Sequence, residues 1–122
     1  MIKIHNVNWL DEASYEGEIT LVDSHNKKLV CFTDAEPLDI IAKKLNVILG
    51  MGGSEIIRSD EHSYSLGYLG NFEHYVVGQV LDRDIPLIQC FDYVLELDGP
   101  LPGDIVSGDW VECSIDRFDI YK

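Results

Sequence analysis

Hydrophobic residues recur at every second position through much of this chain, the spacing that gathers the side chains of a half-buried β-strand on one face. From Leu87 to Asp98, Phe91, Tyr93, Leu95 and Leu97 are apolar while Asp92, Glu96 and Asp98 fall between them, which predicts a strand. Gly99-Pro100-Leu101-Pro102-Gly103 ends it, because the prolines remove ladder donors and the glycines accept unusual backbone angles. After Gly108 a second strand sets Val111, Cys113 and Ile115 on one face and Trp110, Glu112 and Ser114 on the other. The phase then slips. Phe118 and Ile120 are apolar at even positions, so a bulge near Asp116-Arg117 is needed to turn them toward the same core.

The same alternation runs through the earlier residues. Ile2 and Ile4, then Val7 and Trp9, predict a first strand from Met1 to Leu10 with a register disturbance at Asn6. Residues 15 to 33 predict a β-hairpin, with Ile19 and Leu21 inward, Glu16, Glu18 and Thr20 outward, and the turn-rich Asp23 to Lys27 between the strands. Pro37 to Leu45 favours a short helix followed by a strand at Val47 to Leu49, a loop entering that strand being the alternative. The glycines around Met51 predict a flexible turn. From Phe72 the strand pattern resumes through Tyr75 to Leu81, turns at Asp82-Arg83-Asp84, restarts after Pro86, and continues as a three-stranded meander. The expected fold is mainly β in a single domain, residues 1 to 122. It is a small curved antiparallel sheet or a partly open barrel, with one short helix or irregular crossover.

Composition sharpens this picture. A chain of 122 residues buries roughly two-thirds of the surface its unfolded form exposes, enough for one unstapled core. Cys31, Cys90 and Cys113 are odd in number, far apart and set in apolar runs, so they read as buried reduced thiols. The amino terminus lacks the pattern of a secretory signal and no apolar run reaches membrane-spanning length, so the expectation is a cytoplasmic protein without membrane association. The net charge is −13, from nine Lys and Arg against twenty-two Asp and Glu. Such a chain is poorly suited to binding a phosphate backbone, which argues against a nucleic-acid partner. The charge serves solubility or, in the sharper reading, meets a basic protein.

No motif with specific chemistry emerges, and the sequence supplies no catalytic residue, metal or cofactor. Gly50 to Gly53 lacks the Lys-Ser or Lys-Thr of a phosphate loop and runs into Ser54-Glu55. His62 and His74 lie near Asp60, Glu61 and Glu73, but no ligand pair has the short spacing typical of a zinc site. Neither Cys31 nor Cys90 has neighbours that would lower its pKa. Arg117, between Asp116 and Asp119, reads as a structural ion pair. The candidate partner-binding set is Asp60, Glu61, Tyr64, Tyr68, Phe72, Glu73 and Tyr75, aromatic rings three or four apart beside an acidic loop. The competing role for these rings is to cover an open barrel end.

With the strands placed, the chain resembles small barrels of the oligonucleotide/oligosaccharide-binding (OB) type, and LDGPLPGDIVSGDWVECSIDRFDIY resembles the ends of small uncharacterised bacterial all-β proteins. The resemblance implies a fold and transfers no catalytic residue. The functional expectation is a non-catalytic acidic domain that engages a protein partner, in the basic case as an immunity or antitoxin protein would. Alternatives are a small-molecule or saccharide-binding barrel, with or without enzymatic activity, that stacks its ligand on Trp9, Trp110 and the tyrosines, and a structural homo-oligomer subunit. The expected state is a monomer or a homodimer.

Overall fold

A computed structural model describes residues 2–14, 16–34 and 47–120, and its backbone is organised by one curled sheet. The eleven strands are β1 (Lys3–Asp11), β2 (Glu16–Val22), β3 (Lys28–Thr33), β4 (Ile48–Met51), β5 (Ser54–Arg58), β6 (Ser65–Gly70), β7 (Glu73–Asp82), β8 (Leu87–Cys90), β9 (Tyr93–Leu97), β10 (Trp110–Ile115) and β11 (Arg117–Ile120). They pair in the order β1-β2-β3-β11-β4-β9-β8-β7-β10-β5, with β6 also on β7. The sheet is open, its ends being β1 and β5. The expected mainly β, partly open architecture is therefore present. Two of its joints are parallel, β11 with β3 and β4 with β9, so the sheet is mixed and more extensive than a five-stranded OB barrel. Among the described residues there is no helix, and none is long and apolar enough to cross a membrane. The helix expected at Pro37 to Leu45 lies outside the described residues, and a strand follows it at β4.

The amino-terminal strands form as their pattern dictates. The β1–β2 register slips between Ile4 and Asn6, where the apolar phase changes. The β2–β3 hairpin buries Ile19, Leu21, Leu29 and Cys31. Gly17 is required opposite Trp9, since a Cβ there would stand 2.9 Å from the indole Cε3.

The closing segment differs from expectation in two ways. Leu87 to Leu97 is a hairpin rather than one strand. Phe91, at φ 53°, and Asp92 turn the chain, pairing Cys90 with Tyr93 and Ile88 with Leu95. A two-residue turn joins positions of opposite parity, which is why Ile88 and Cys90 are buried at even positions and Tyr93, Leu95 and Leu97 at odd ones. Nor do β9 and β10 pair with each other. The connection from Asp98 to Asp109 buries Leu101 and Ile105 beneath itself and docks on β7 through Gly108 N–H to Val80 O (2.8 Å) and Val80 N–H to Asp109 O (2.9 Å). It delivers β10 to the far edge of β7, so the meander is β7-β8-β9 and the last strands are inserted elsewhere.

The phase slip at Asp116 is where the chain changes partners. Up to Ile115 it lies between β7 and β5; from Arg117 it lies between β3 and β4, and Asp116 N–H reaches Met51 O (3.0 Å). A strand that bends across in this way joins two packed portions of one sheet. Ile115, Phe118 and Ile120 all remain buried across the slip. Arg117 forks onto Asp119 at 2.7 and 2.8 Å and its guanidinium lies 4.7 Å from the Phe32 ring centroid, which fixes the structural role expected of it.

The sheet curls until the start of β7 faces β3 and β11 without forming a ladder, and His74 spans this seam. Its Nδ1–H donates to Phe72 O (3.1 Å), its Nε2 accepts from Val30 N–H (3.1 Å), and its ring meets Phe118 edge-on at 5.1 Å. This arrangement needs the neutral ring. Burial lowers its pKa to about 4 from 6.5, against an opposing effect of the bond to Phe72.

Candidate functional site

Alternation on β10 directs Trp110, Glu112 and Ser114 away from the core, opposite Gln79, Val77 and Tyr75 of β7 and, for Glu112, opposite Ile57 of β5. The loop from Ser59 to Tyr64 leaves β5, crosses this outer face and enters β6 on the other side of β7. Ser59 anchors the crossing. Its N–H donates to Trp110 O (2.9 Å) and its hydroxyl to Glu112 Oε2 (3.1 Å), while its Oγ receives Glu61 N–H (3.1 Å). Val77 lies on this outward face yet is only 1% exposed, as expected beneath a crossing loop.

The crossing assembles a line of rings. His62 stacks on Trp110 at 5.9 Å, Trp110 meets Tyr64 at 5.2 Å, Tyr64 meets Phe91 at 5.4 Å, and Phe91 meets His25 at 5.6 Å. Lys27 Nζ stands 5.0 Å from the Phe91 ring centroid at that end. His62 and His25 are exposed and the three rings between them are half-buried, so the line presents edges and faces to solvent. Asp60, Glu61, Glu55 and Glu112 supply the acidic surround. Glu112 Oε2 accepts from the Tyr75 hydroxyl (3.3 Å) as well as from Ser59, and neither Glu55 nor Glu112 is ion-paired with a described cation.

The predicted set divides between two places. Asp60, Glu61, Tyr64 and Tyr75 belong to this outer face. Tyr68, Phe72 and Glu73 sit at the β6–β7 turn beside the seam. There the Tyr68 ring lies 5.0 Å from His74, its Oη accepts Phe72 N–H (3.2 Å), and Phe72 meets Phe32 edge-on at 6.2 Å. Phe72 is half-buried there, whereas Tyr68 remains 46% exposed. Tyr68 also lines a groove of about 450 Å³ with Thr20, Val30, His5 and Lys28, a lining without a carboxylate. Trp9 is on β1 at one end of the strand order and Trp110 is on β10, next to the other end.

Sequence reasoning passed over His25 and did not assign Phe91 or Glu112 to the site. The available signal was at Phe91-Asp92, where the parity of the buried residues reverses.

Next to Phe91, atoms of Asp23, His25 and Asp92 lie within 4.8 Å of one another, a donor set that could ligate a cation. Their hydrogen bonds give them a definite structural task. Asp23 Oδ1 accepts from His25 N–H (3.0 Å) and Lys27 N–H (2.8 Å), and Oδ2 from Asp92 N–H (3.2 Å). Asp92 Oδ2 accepts from the Ser24 hydroxyl (2.5 Å) and amide (2.9 Å), which together hold its carboxyl down at about 2. His25 Nδ1 stands 3.3 Å from Asp92 and 3.6 Å from Asp23. The clasp joins the β2–β3 loop to the β8–β9 turn and so fixes both His25 and Phe91 in the ring line.

The thiols offer no nucleophile. Cys31, Cys90 and Cys113 are buried, and burial pushes Cys90 and Cys113 up to about 12 and Cys31 higher still. Comparison with protein-family models, curated proteins and solved structures finds no match to this chain.

Proposed function

We propose that this is an acidic protein-binding domain whose outer face, over β10 and the Ser59–Tyr64 crossing, engages a basic protein. The observation that carries the reading is the line from His62 through Trp110, Tyr64 and Phe91 to His25, half-open to solvent, on a face where neither Glu112 nor Glu55 is ion-paired with a described cation. Aromatic rings and carboxylates together suit Lys and Arg, which stack their charge on ring faces and pair with acids at the rim. A net charge of −13 would accelerate encounter with such a partner and reject acidic ones. An immunity or antitoxin role against a basic toxin is one biological setting with this chemistry.

The test is a titration of the protein with an arginine- and lysine-rich peptide and with a glutamate-rich control, followed through the Trp110 and Tyr64 resonances. The expected result is a saturable shift with the basic peptide that weakens as salt rises. Equal response to both peptides, or none to the basic one, overturns the reading.

A further inference from the structure

The sheet's path ends at β5, and among the described residues no strand pairs its outer edge. Ser59 N–H donates inward to Trp110 O, and Ile57, two residues before it, pairs with Glu112. By alternation the N–H and C=O of Arg58 then point to the unpaired side. An edge with free donors and acceptors is a template for another strand. The strand Ser54-Glu55-Ile56-Ile57-Arg58 has no proline, and it presents Ile57 at 54% exposure.

Inward of that edge, over β5, β10 and β7, is a depression of about 170 Å³, lined by Glu55, Ile57, Tyr75, Glu112, Cys113 and Ser114. Glu55 is brought to it by an irregularity. The β5–β10 register slips between Glu112 and Ser114, and Glu55 takes φ 54°, a backbone conformation uncommon for a side-chain-bearing residue. The lining thus combines two carboxylates, a phenol and an apolar side chain, with no lysine or arginine among them. The nearby Arg58 is engaged elsewhere, with Asp109 Oδ2 (3.3 Å) and Asp104 O.

We infer that an extended basic segment of a partner protein adds to the outer edge of β5 as a further strand and places a lysine or arginine side chain between Glu55 and Glu112. Main-chain bonds along the edge supply affinity, and the acidic depression selects the side chain, the division of labour general to strand addition. Charge complementarity decides the occupant: a second copy of this chain would bring a like-charged edge, whereas a basic strand neutralises both carboxylates. This inference rests on the basic-partner reading and specifies how that partner is held.

The experiment uses a peptide of alternating lysine and valine, and the same peptide N-methylated at alternate residues so that one of its edges cannot donate. Binding is measured by calorimetry and by amide hydrogen exchange on the intact chain. The expected result is slowed exchange at Arg58, at least a tenfold loss of affinity on N-methylation, and a similar loss in Glu55→Gln and Glu112→Gln. Glu55 is exposed, so Glu55→Gln tests the pocket even where Glu112→Gln perturbs the Ser59 anchor. Binding unaffected by N-methylation, without protection at Arg58, overturns strand addition while leaving the basic-partner reading intact. Failure of every basic peptide to bind overturns both.

Discussion

Two aromatic regions lie on either side of the β6–β7 hairpin, and each takes rings from the short stretch Tyr64 to Tyr75. At the seam, Tyr68, Phe72, Phe32, His74 and Phe118 meet in a series of ring contacts, and both ring nitrogens of His74 and the Phe72 N–H have partners within the fold. On the outer face, Tyr64, Trp110 and Phe91 touch along a line, and neither Glu112 nor Glu55 on that face is ion-paired with a described cation. The seam spends its chemistry on closing the fold. The outer face retains charge that a second molecule could neutralise.

The seam is where the largest loss of stability is expected. Phe118 is fully buried and touches His74 from the strand that joins the two portions of the sheet. Phe118→Ala should cost about 3–5 kcal/mol, read as a lowered urea midpoint. A cost near that of a surface substitution would remove the distinction between the regions.

Acid should act at the same place through His74. The folded pKa lies below the unfolded one, so the unfolded chain takes up the proton first as pH falls. The associated stability is complete above about 6.5 and is lost progressively toward about 4, a difference of about 3 kcal/mol between the two ends. Denaturation curves across that range should show this component, and His74→Gln should remove it while the remaining carboxylate titrations persist. An unchanged pH profile in His74→Gln would show that the seam does not depend on a neutral imidazole.

The smallest stability effect belongs to the outer face. Tyr64→Ala removes two ring contacts from a half-open line and should cost about 1 kcal/mol, while sharply reducing the response to a basic peptide. Loss of stability as large as that of Phe118→Ala would assign Tyr64 to the fold rather than to recognition.

The division between the regions was only half legible in the sequence. Alternation located most strands, put Val111, Cys113 and Ile115 inside and Trp110, Glu112 and Ser114 outside, and required the slip at Asp116. It could not group Tyr64, Tyr68, Phe72 and Tyr75 correctly. Between Tyr68 and Tyr75 the chain reverses at Gly70-Asn71-Phe72, all at positive φ, so residues near in sequence part company in space. Partner choice was equally hidden, because β10 and β11 have ordinary strand patterns whose neighbours are set by segments as distant as β3 and β5. The Asp23 clasp on Asp92 depends on such a meeting of remote loops, as does the His74 bridge to Val30.

The position of β11 also bears on how the molecule is made. It is the last of the described strands in chain order, yet it stands between β3 and β4 and holds β1, β2 and β3 to the rest of the sheet. On a ribosome, the first hairpin can form early, but its junction to the remainder waits until β11 has emerged. Joining residues nearly ninety apart in sequence, as Cys31 and Phe118 are, places this protein among slow folders governed by distant pairings. During that interval the unjoined edge of β3 is open to wrong partners, and a nascent chain held there is the form most in need of chaperone protection.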